Sequence, residues 1–339
     1  MKGKKIIAIA VSLTMIFTFA VTMTGCGGGS DSASSDNPVK FVVGTAAAET
    51  TNTGKALAEL EKNVEEATDG AIDVDVQYSG VVGDETDMVE QIQMGTLQMA
   101  LPSSSLFTSY GDKFAIWDIP FLFDSYDKIK EAYNGELGEQ YSSWLADEGF
   151  YCYGIIPTGF RGLSNSKHTV TSPADMNDLK IRVMESEIYV DAFDALGANT
   201  VTMNYSEVYS ALQQGVVDGQ DNPAEFTVTS GFYDVNKYYT RLNHTMCSMP
   251  VVGSVSFMEG LDENLRATLD EEIDKFIADL SVTFEESEQG FVDQMEEAGV
   301  EITELTEDQV KEFRDAEAGV YEKWGEKVGK DVMDLALSY

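Results

Sequence analysis

Two separate runs of alternating strand and helix signals dominate the sequence and set its fold class. In the first run, residues 40–45 and 72–78 have strand patterns, and apolar residues at helical spacing cover 54–69 between them. A second run begins after residue 150 and ends with a helix at 206–214. Alternating strands and helices are typical of an α/β fold with a largely parallel sheet. Two such runs predict two α/β domains with a cleft between them.

The longest periodic segment, residues 262–297, has apolar residues at spacings near three, four and seven and contains no proline. One uninterrupted helix of that length would be roughly 50 Å long, which is more than a small domain requires. We therefore expect a long helix that spans both domains, with a break near Gly290 as the alternative. The predicted boundaries are 38–158 plus about 248–287 for domain I, and 159–247 plus about 288–339 for domain II.

The first 25 residues have the order of a secretory signal peptide: a basic front end, an apolar run and a small-residue stretch. The stretch "MTGC" resembles the lipobox of bacterial lipoproteins, with Met23 in place of the usual leucine. In a lipobox the peptide is cut before the cysteine, here Cys26, which then carries a diacylglycerol. Residues 26–37 are rich in Gly and Ser and predict a flexible tether. We expect an extracytoplasmic protein, lipid-anchored to the outer face of the cell membrane; an uncleaved N-terminal span is the alternative.

Charge and motifs exclude several functional classes. The formal net charge is -37, and three of the 22 basic residues lie in the predicted leader, so the mature charge is close to -40. Nucleic acid and anionic lipid are poor partners for such a surface. Neither of the two histidines has a ligand at zinc spacing, and no G-x-S-x-G, G-x-G-x-x-G or Walker A motif occurs. We therefore expect no metal, no cofactor and no enzymatic activity.

Arg182 stands inside the strand pattern "LKIRV", although the whole chain contains only five arginines. One interpretation is a structural side chain that snorkels to solvent or pairs with a fixed acid. The other is that its planar guanidinium binds the carboxylate of a ligand through two parallel charged hydrogen bonds. Arg161, in "PTGFRGLSN", also lies near a strand end of the second run.

The block from Gly159 to Pro223 resembles the DctP-type solute receptors of tripartite ATP-independent periplasmic (TRAP) transporters. The shared segments are "GFRGLSN", "SPADMNDLKIRV", "ALQQGVVDGQDNP" and, upstream, "DIPFLF", and the similarity extends from about residue 40 to the C-terminus. The resemblance implies a periplasmic-binding-protein-like fold whose two domains close on a ligand about a hinge. It also implies two membrane partners, a small and a large integral protein, that drive uptake with an ion gradient.

The resemblance further implies ligand-binding residues. Arg182 matches the arginine that forms a salt bridge with the ligand's carboxylate, and Arg161 lies in the same cleft and assists. Asn222 binds the ligand or orients the arginine, and Tyr205 lines the pocket. Three positions fall where the family varies with substrate, each with an alternative interpretation as a surface or turn residue: Glu185, Ser103 and Glu49.

We therefore expect a receptor for a small organic acid. An ionised Glu185 only accepts hydrogen bonds, so it favours a sugar acid such as a uronate over a C4-dicarboxylate, which is the rival ligand. Less favoured are a binding protein of an ATP-driven importer and a lipoprotein hydrolase acting on acidic glycans. Asp221 replaces the glutamate more common in the family, which we expect to alter local packing alone. Cys152 and Cys247 form either a disulfide or two separate thiols.

Overall fold

The computed structural model describes residues 38–339, so the predicted leader, Cys26 and the whole tether at 26–37 lie outside the described residues. The described chain contains one five-stranded and one six-stranded β-sheet. The strands are β1 (Val39–Gly44), β2 (Ile72–Gln77), β3 (Met99–Ala100), β4 (Phe150–Phe160), β5 (Gly162–Asn165), β6 (Lys180–Val183), β7 (Asn199–Thr202), β8 (Gly219–Asn222), β9 (Tyr238–Arg241), β10 (Met246–Ser254) and β11 (Glu301–Glu304).

Both sheets are mixed, whereas the sequence predicted a largely parallel sheet. The first sheet has the order β2-β1-β3-β10-β4, in which β1 is parallel to β2 and β3 and β10 is antiparallel to β3 and β4. The second has the order β11-β9-β5-β8-β6-β7, in which β6 is parallel to β7 and β8 and β5 is antiparallel to its neighbours. The chain enters the second sheet through β4 and β5 and returns through β9 and β10, and these crossing strands supply the antiparallel pairs.

Helices cover both sheets, which places this chain in the α/β class that the alternation predicted. They are α1 (Asn52–Ala67), α2 (Glu85–Met94), α3 (Tyr126–Asn134), α4 (Glu136–Asp147), α5 (Glu187–Ala195), α6 (Val208–Gln214), α7 (Ala224–Thr229), α8 (Phe232–Val235), α9 (Val255–Gly260), α10 (Glu263–Glu297), α11 (Glu307–Ala316), α12 (Ala318–Val328) and α13 (Lys330–Ala336). Short 3-10 helices occupy Ser104–Tyr110, Asp112–Asp118, Pro173–Met176 and Tyr205–Glu207. No helix within residues 38–339 is both long and apolar enough to cross a membrane.

The long helix α10 runs without interruption through Gly290, so the break considered there does not occur. Its 35 residues extend about 52 Å at 1.5 Å per residue. The first part of α10 buries Ile273 and Phe276 in the core of the first sheet, where it packs on α1 and β4. The last part buries Val292 and Met295 against α7 and β11 of the second sheet. One helix thus contributes to both cores, as predicted.

The strands divide between the sheets by sequence position. The first sheet takes its strands from residues 39–160 and 246–254, and the second from 162–241 and 301–304. Helix α12 contacts both the 3-10 segment before residue 119 and α5, so the C-terminal helices touch both parts of the molecule. The finer domain boundaries given above stay a prediction.

Candidate functional site

A cavity of about 560 Å³ lies between the two sheets. Its walls begin where parallel strands end: Thr45 follows β1, Leu101 follows β3, Met184 follows β6 and Met203 follows β7. Ligands of α/β proteins bind at the carboxyl ends of parallel strands, because loops and helix N-termini converge there. A cavity of this size is within the range of small-molecule sites in proteins.

Arg182 lies on β6, between β7 and β8, with only 3% of its surface exposed. Its Nε and Nη2 atoms donate to the carbonyl oxygen of Met203 at 3.0 and 2.7 Å. Its Nη1 atom is buried without a hydrogen-bond partner, and none of the ion pairs within residues 38–339 involves Arg182. The structural interpretation in which Arg182 pairs with a fixed acid is therefore wrong for the described chain.

The electrostatic setting of Arg182 is unfavourable for a cation. Burial, together with the positive charge of nearby Arg161, lowers the pKa of Arg182 to about 10. A guanidinium with that pKa is still charged at neutral pH. A buried charge without a counter-ion costs free energy, which an arriving anion would recover. Arg182 is thus a buried cation with one guanidinium nitrogen that has no hydrogen-bond partner and with no ion-pair partner in the described chain.

Arg161 also lines the cavity, but fixed partners already hold most of its guanidinium. Its Nε donates to Asp221 Oδ2 at 2.6 Å, and its Nη2 donates to the Asp221 carbonyl and to Asn222 Oδ1. Burial alone would lower the pKa of Arg161, but the Asp221 carboxylate outweighs it and raises the pKa. Gly162 follows at a point where a Cβ would collide with the Tyr239 hydroxyl, so the close packing behind Arg161 requires glycine.

A chain of buried charges continues behind Asp221. His244 Nε2 lies 3.4 Å from Asp221 Oδ1, and His244 Nδ1 lies 3.6 Å from Glu317 Oε1 at the start of α12. Burial opposes protonation of His244, but the Asp221 carboxylate prevails and raises the histidine's pKa to about 9. The imidazole is therefore charged at neutral pH. His244 is thus a second cationic partner of Asp221, beside Arg161.

The other predicted residues divide into those at the cavity and one away from it. Asn222, Tyr205, Ser103 and Glu185 all line the cavity, and Asn222 Oδ1 orients Arg161. The Tyr205 hydroxyl is hydrogen-bonded to Ser230, and Ser103 Oγ donates to Met184 Sδ at 3.4 Å. Glu185 is exposed at the rim. Glu49 is exposed and lies outside the lining residues, although its neighbour Ala48 is among them. The ligand contacts of all these residues stay predictions.

Sequence reasoning missed Glu85, the first residue of α2, which also lines the cavity. Its Oε2 accepts from the Ser103 backbone N–H at 3.4 Å. Burial raises the pKa of Glu85, and this hydrogen bond and the charge of Arg182 oppose the rise. The signal was present in "GDETDM", where Asp84 predicts the start of a helix. Glu85 then lies in the first turn of a helix that follows a β-strand, and such a turn can face the cleft. The role of Asp221 as the fixed counter-ion of Arg161 was also missed.

The described chain contains two cysteines, and its His, Cys, Asp and Glu side chains are the potential ligands of a metal ion. Cys152 and Cys247 are free thiols, and Cys247 lines the cavity, so the disulfide alternative is wrong. Residues 38–339 contain no group of three or more His, Cys, Asp or Glu side chains placed to hold a metal ion. The apolar part of the wall consists largely of Leu101, Leu106, Met184, Met203, Phe226, Phe232 and Met249.

Comparison with known proteins identifies the family. Residues 43–327 match the DctP model, described as bacterial extracellular solute-binding protein, family 7. The C4-dicarboxylate-binding periplasmic protein DctP of Rhodobacter capsulatus is 29% identical over 298 residues, which cover 87% of this chain and 89% of that protein.

Solved structures with the same fold belong to TRAP periplasmic solute-binding proteins. One from Chromohalobacter salexigens, with bound D-glucuronate, has a TM-score of 0.84 and 27% identity over 88% of this chain and 99% of that one. Another from Sulfurospirillum deleyianum, with bound succinate, has a TM-score of 0.84 and 27% identity over 88% of this chain and 98% of that one. These relatives are binding receptors and not enzymes. The chain therefore belongs to the DctP family of extracellular solute-binding proteins, the receptors of TRAP transporters.

Proposed function

We propose that this receptor captures a small organic acid with one carboxylate and several hydroxyl groups, a sugar acid such as a uronate. Relatives with the same fold contain D-glucuronate or succinate, so a receptor for small organic acids is the broader class. The observation that carries the assignment of a carboxylate ligand is the buried guanidinium of Arg182, which has an Nη1 without a hydrogen-bond partner and, unlike Arg161, no ion-pair partner within the described chain. Arg182 would bind the ligand's carboxylate, with Arg161 and Asn222 behind it.

The balance of charge around the cavity favours one carboxylate over two. The cationic side chains among the described lining residues are Arg161 and Arg182, and Asp221 already neutralises Arg161. The acidic lining residues are Asp84, Glu85 and Glu185. A second carboxylate on the ligand would lie near these acids, and the described lining residues include no second cation that lacks an ion-pair partner. Carboxylates accept hydrogen bonds from hydroxyl groups, so the same acids suit the polyol part of a sugar acid.

Calorimetric titration with D-glucuronate, D-galactonate, succinate and glucose tests this ligand class. We expect at least one sugar acid to bind at least tenfold more tightly than succinate, and glucose to bind undetectably. In Glu85→Gln, the preference for the sugar acid over succinate should fall by about tenfold, since hydrogen bonds to charged groups contribute about 1.5–3 kcal/mol each. Glu286→Gln, an exposed acid of α10 outside the cavity lining, serves as the matched control. Tighter binding of succinate than of either sugar acid by the unmodified protein would contradict the proposal and favour a C4-dicarboxylate.

Delivery of the ligand would require the small and large membrane subunits of a TRAP transporter. We propose that the receptor is anchored at the outer face of the cell membrane by a lipid on Cys26 and the tether after it. The sequence "MTGC" supports the anchor, and the family description supports the extracytoplasmic location. An anchor would confine the receptor to the surface where its membrane partners lie.

Replacing Cys26 by serine tests the lipid anchor. Because the thioether-linked lipid needs the cysteine sulfur, Cys26→Ser should move the receptor from the membrane fraction to the soluble fraction. Mass spectrometry of the unmodified protein should show a diacylglyceryl group on the N-terminal peptide. Cys152→Ser, a cysteine in the folded region, should leave the membrane fraction unchanged. Retention of Cys26→Ser in the membrane would instead indicate an uncleaved N-terminal span.

A further inference from the structure

A buried carboxylate next to the cavity joins the two parts of the molecule and has no role in the binding scheme above. Glu225 lies at the start of α7, directly after β8 of the second sheet, with 3% of its surface exposed. Its Oε1 accepts from the Asn52 backbone N–H at 3.1 Å, and its Oε2 accepts from Asn52 Nδ2 at 2.7 Å. Asn52 is the first residue of α1, which packs on the first sheet.

The contact also includes the long helix. Asn52 Nδ2 donates to Ser287 Oγ of α10 at 2.9 Å, so one side chain connects α1, α7 and α10. Neither Asn52 nor Glu225 lines the cavity, but their neighbours Thr51 and Phe226 both do. The contact therefore lies just behind the cavity wall, where the part of the chain that follows β1 meets the part that follows β8.

The hydrogen bonds between Asn52 and Glu225 depend on the distance between α1 and α7. Burial raises the pKa of Glu225 to about 7, and the hydrogen bonds from Asn52 oppose that rise. A buried carboxylate is tolerated where donors satisfy it, and both donors here come from the opposite side of the molecule. If α1 and α7 moved apart, the carboxylate would lose both donors at once and become hydrated. The pair would thus be formed when the two lobes, the parts of the molecule built on the first and the second sheet, lie close together, and broken when they move apart.

We propose that Asn52 and Glu225 are positioning residues that set the ligand's residence time by holding the two lobes together, without touching the ligand. This inference rests on the proposed function, in which an acid binds between the lobes. Because the pair joins the two lobes directly, it would favour the arrangement in which they lie close together whether or not an acid is bound. Its loss should shift the molecule towards a more open form and let a bound acid leave sooner.

The test uses Glu225→Gln and Asn52→Ala, with the exposed acid Glu286 on α10, as Glu286→Gln, for the matched control. Small-angle X-ray scattering without ligand should give a larger radius of gyration for the two variants than for the unmodified protein. Stopped-flow displacement of D-glucuronate should give a dissociation rate about tenfold higher, because hydrogen bonds to a charged group are lost. The melting temperature without ligand should stay close to that of the control, which separates this role from a purely structural one.

The scattering measurement and the dissociation rate together separate this proposal from the ligand assignment. An unchanged radius of gyration in Glu225→Gln and Asn52→Ala would overturn it, whether or not D-glucuronate binds. If the radius increases and D-glucuronate fails to bind even the unmodified protein, the role of the pair in holding the lobes together stands and the ligand class falls. If D-glucuronate binds and its dissociation rate is the same in both variants and the control, the pair does not set residence time and the proposal is wrong.

Discussion

Replacing Arg182 by methionine is expected to abolish acid binding at ordinary concentrations while the protein remains folded. Two charged hydrogen bonds at about 1.5–3 kcal/mol each correspond to an affinity loss of roughly 100-fold to 20,000-fold. The fold should survive because Arg182 has no ion-pair partner within the described chain, and its removal therefore breaks no salt bridge. Isothermal titration calorimetry measures the affinity, and a thermal melt without ligand checks the fold.

The matched control for Arg182 is Arg266 on α10. Arg266 is partly exposed and lies 3.9 Å from Asp270, a surface pair of small energetic consequence. Arg266→Met should bind the acid as the unmodified protein does. Equal affinity of Arg182→Met and Arg266→Met would mean that the guanidinium in β6 is not the ligand anchor.

Replacing Arg161 by methionine is expected to weaken ligand binding and also to cause a large loss of stability, whereas Arg182→Met should keep its stability. The change leaves the Asp221 carboxylate buried, with the more distant His244 as its remaining cationic partner. Removing one partner of a buried ion pair typically costs about 3–5 kcal/mol. Equilibrium unfolding in urea should therefore show a marked drop in the free energy of unfolding, unlike the result for Arg182→Met.

The double variant Arg161→Met with Asp221→Asn separates the ion pair from side-chain packing. Neutralising Asp221 removes the uncompensated charge, so the double variant should regain part of the free energy of unfolding that Arg161→Met loses. Ligand affinity should stay low in the double variant, because Arg161 is still absent from the cavity wall. A double variant no more stable than Arg161→Met would show that the ion pair does not account for the loss.

Local patterns predicted the elements whose ends are determined within a few residues. Helices α2 and α6 end at Gly95 and Gly215, whose φ values of 74° and 70° lie in the left-handed region that glycine adopts without strain. The unbroken α10 followed from its apolar spacing, because a glycine within a long, packed helix costs little compared with the burial of its apolar face. The strand that contains Arg182 was likewise evident from its apolar neighbours.

Strand β8 escaped prediction because its sequence "GQDN" has no apolar residue, although all four residues are buried. Its polar side chains are satisfied by distant partners: Gln220 donates to Ser164 Oγ, and Asp221 pairs with Arg161. A polar strand in a core is stable where such a network satisfies it. The partners are about 60 residues apart along the chain, so no local pattern reports them.

The candidate site was only partly predictable, because some of its residues interact with partners that are distant along the chain. The family motifs pointed to Arg182, Arg161, Asn222 and Tyr205, and the structure brings all four to one cavity. Glu85 and the fixed counter-ion of Arg161 required three-dimensional proximity, since 97 residues separate Glu85 from Arg182 and 60 separate Arg161 from Asp221. Charge partners of this kind decide which arginine is free to bind a ligand, and sequence spacing alone does not identify them.

The central claim is that the carboxylate of the ligand is the group that Arg182 binds. Titration of the unmodified protein and of Arg182→Met with D-glucuronate and with its neutral counterpart glucose tests it most directly. We expect the unmodified protein to bind D-glucuronate at least 100-fold more tightly than glucose, and this difference to disappear in Arg182→Met, since two charged hydrogen bonds carry about that much free energy. Comparable binding of glucose and D-glucuronate by the unmodified protein, or an undiminished preference for D-glucuronate in Arg182→Met, would contradict the claim.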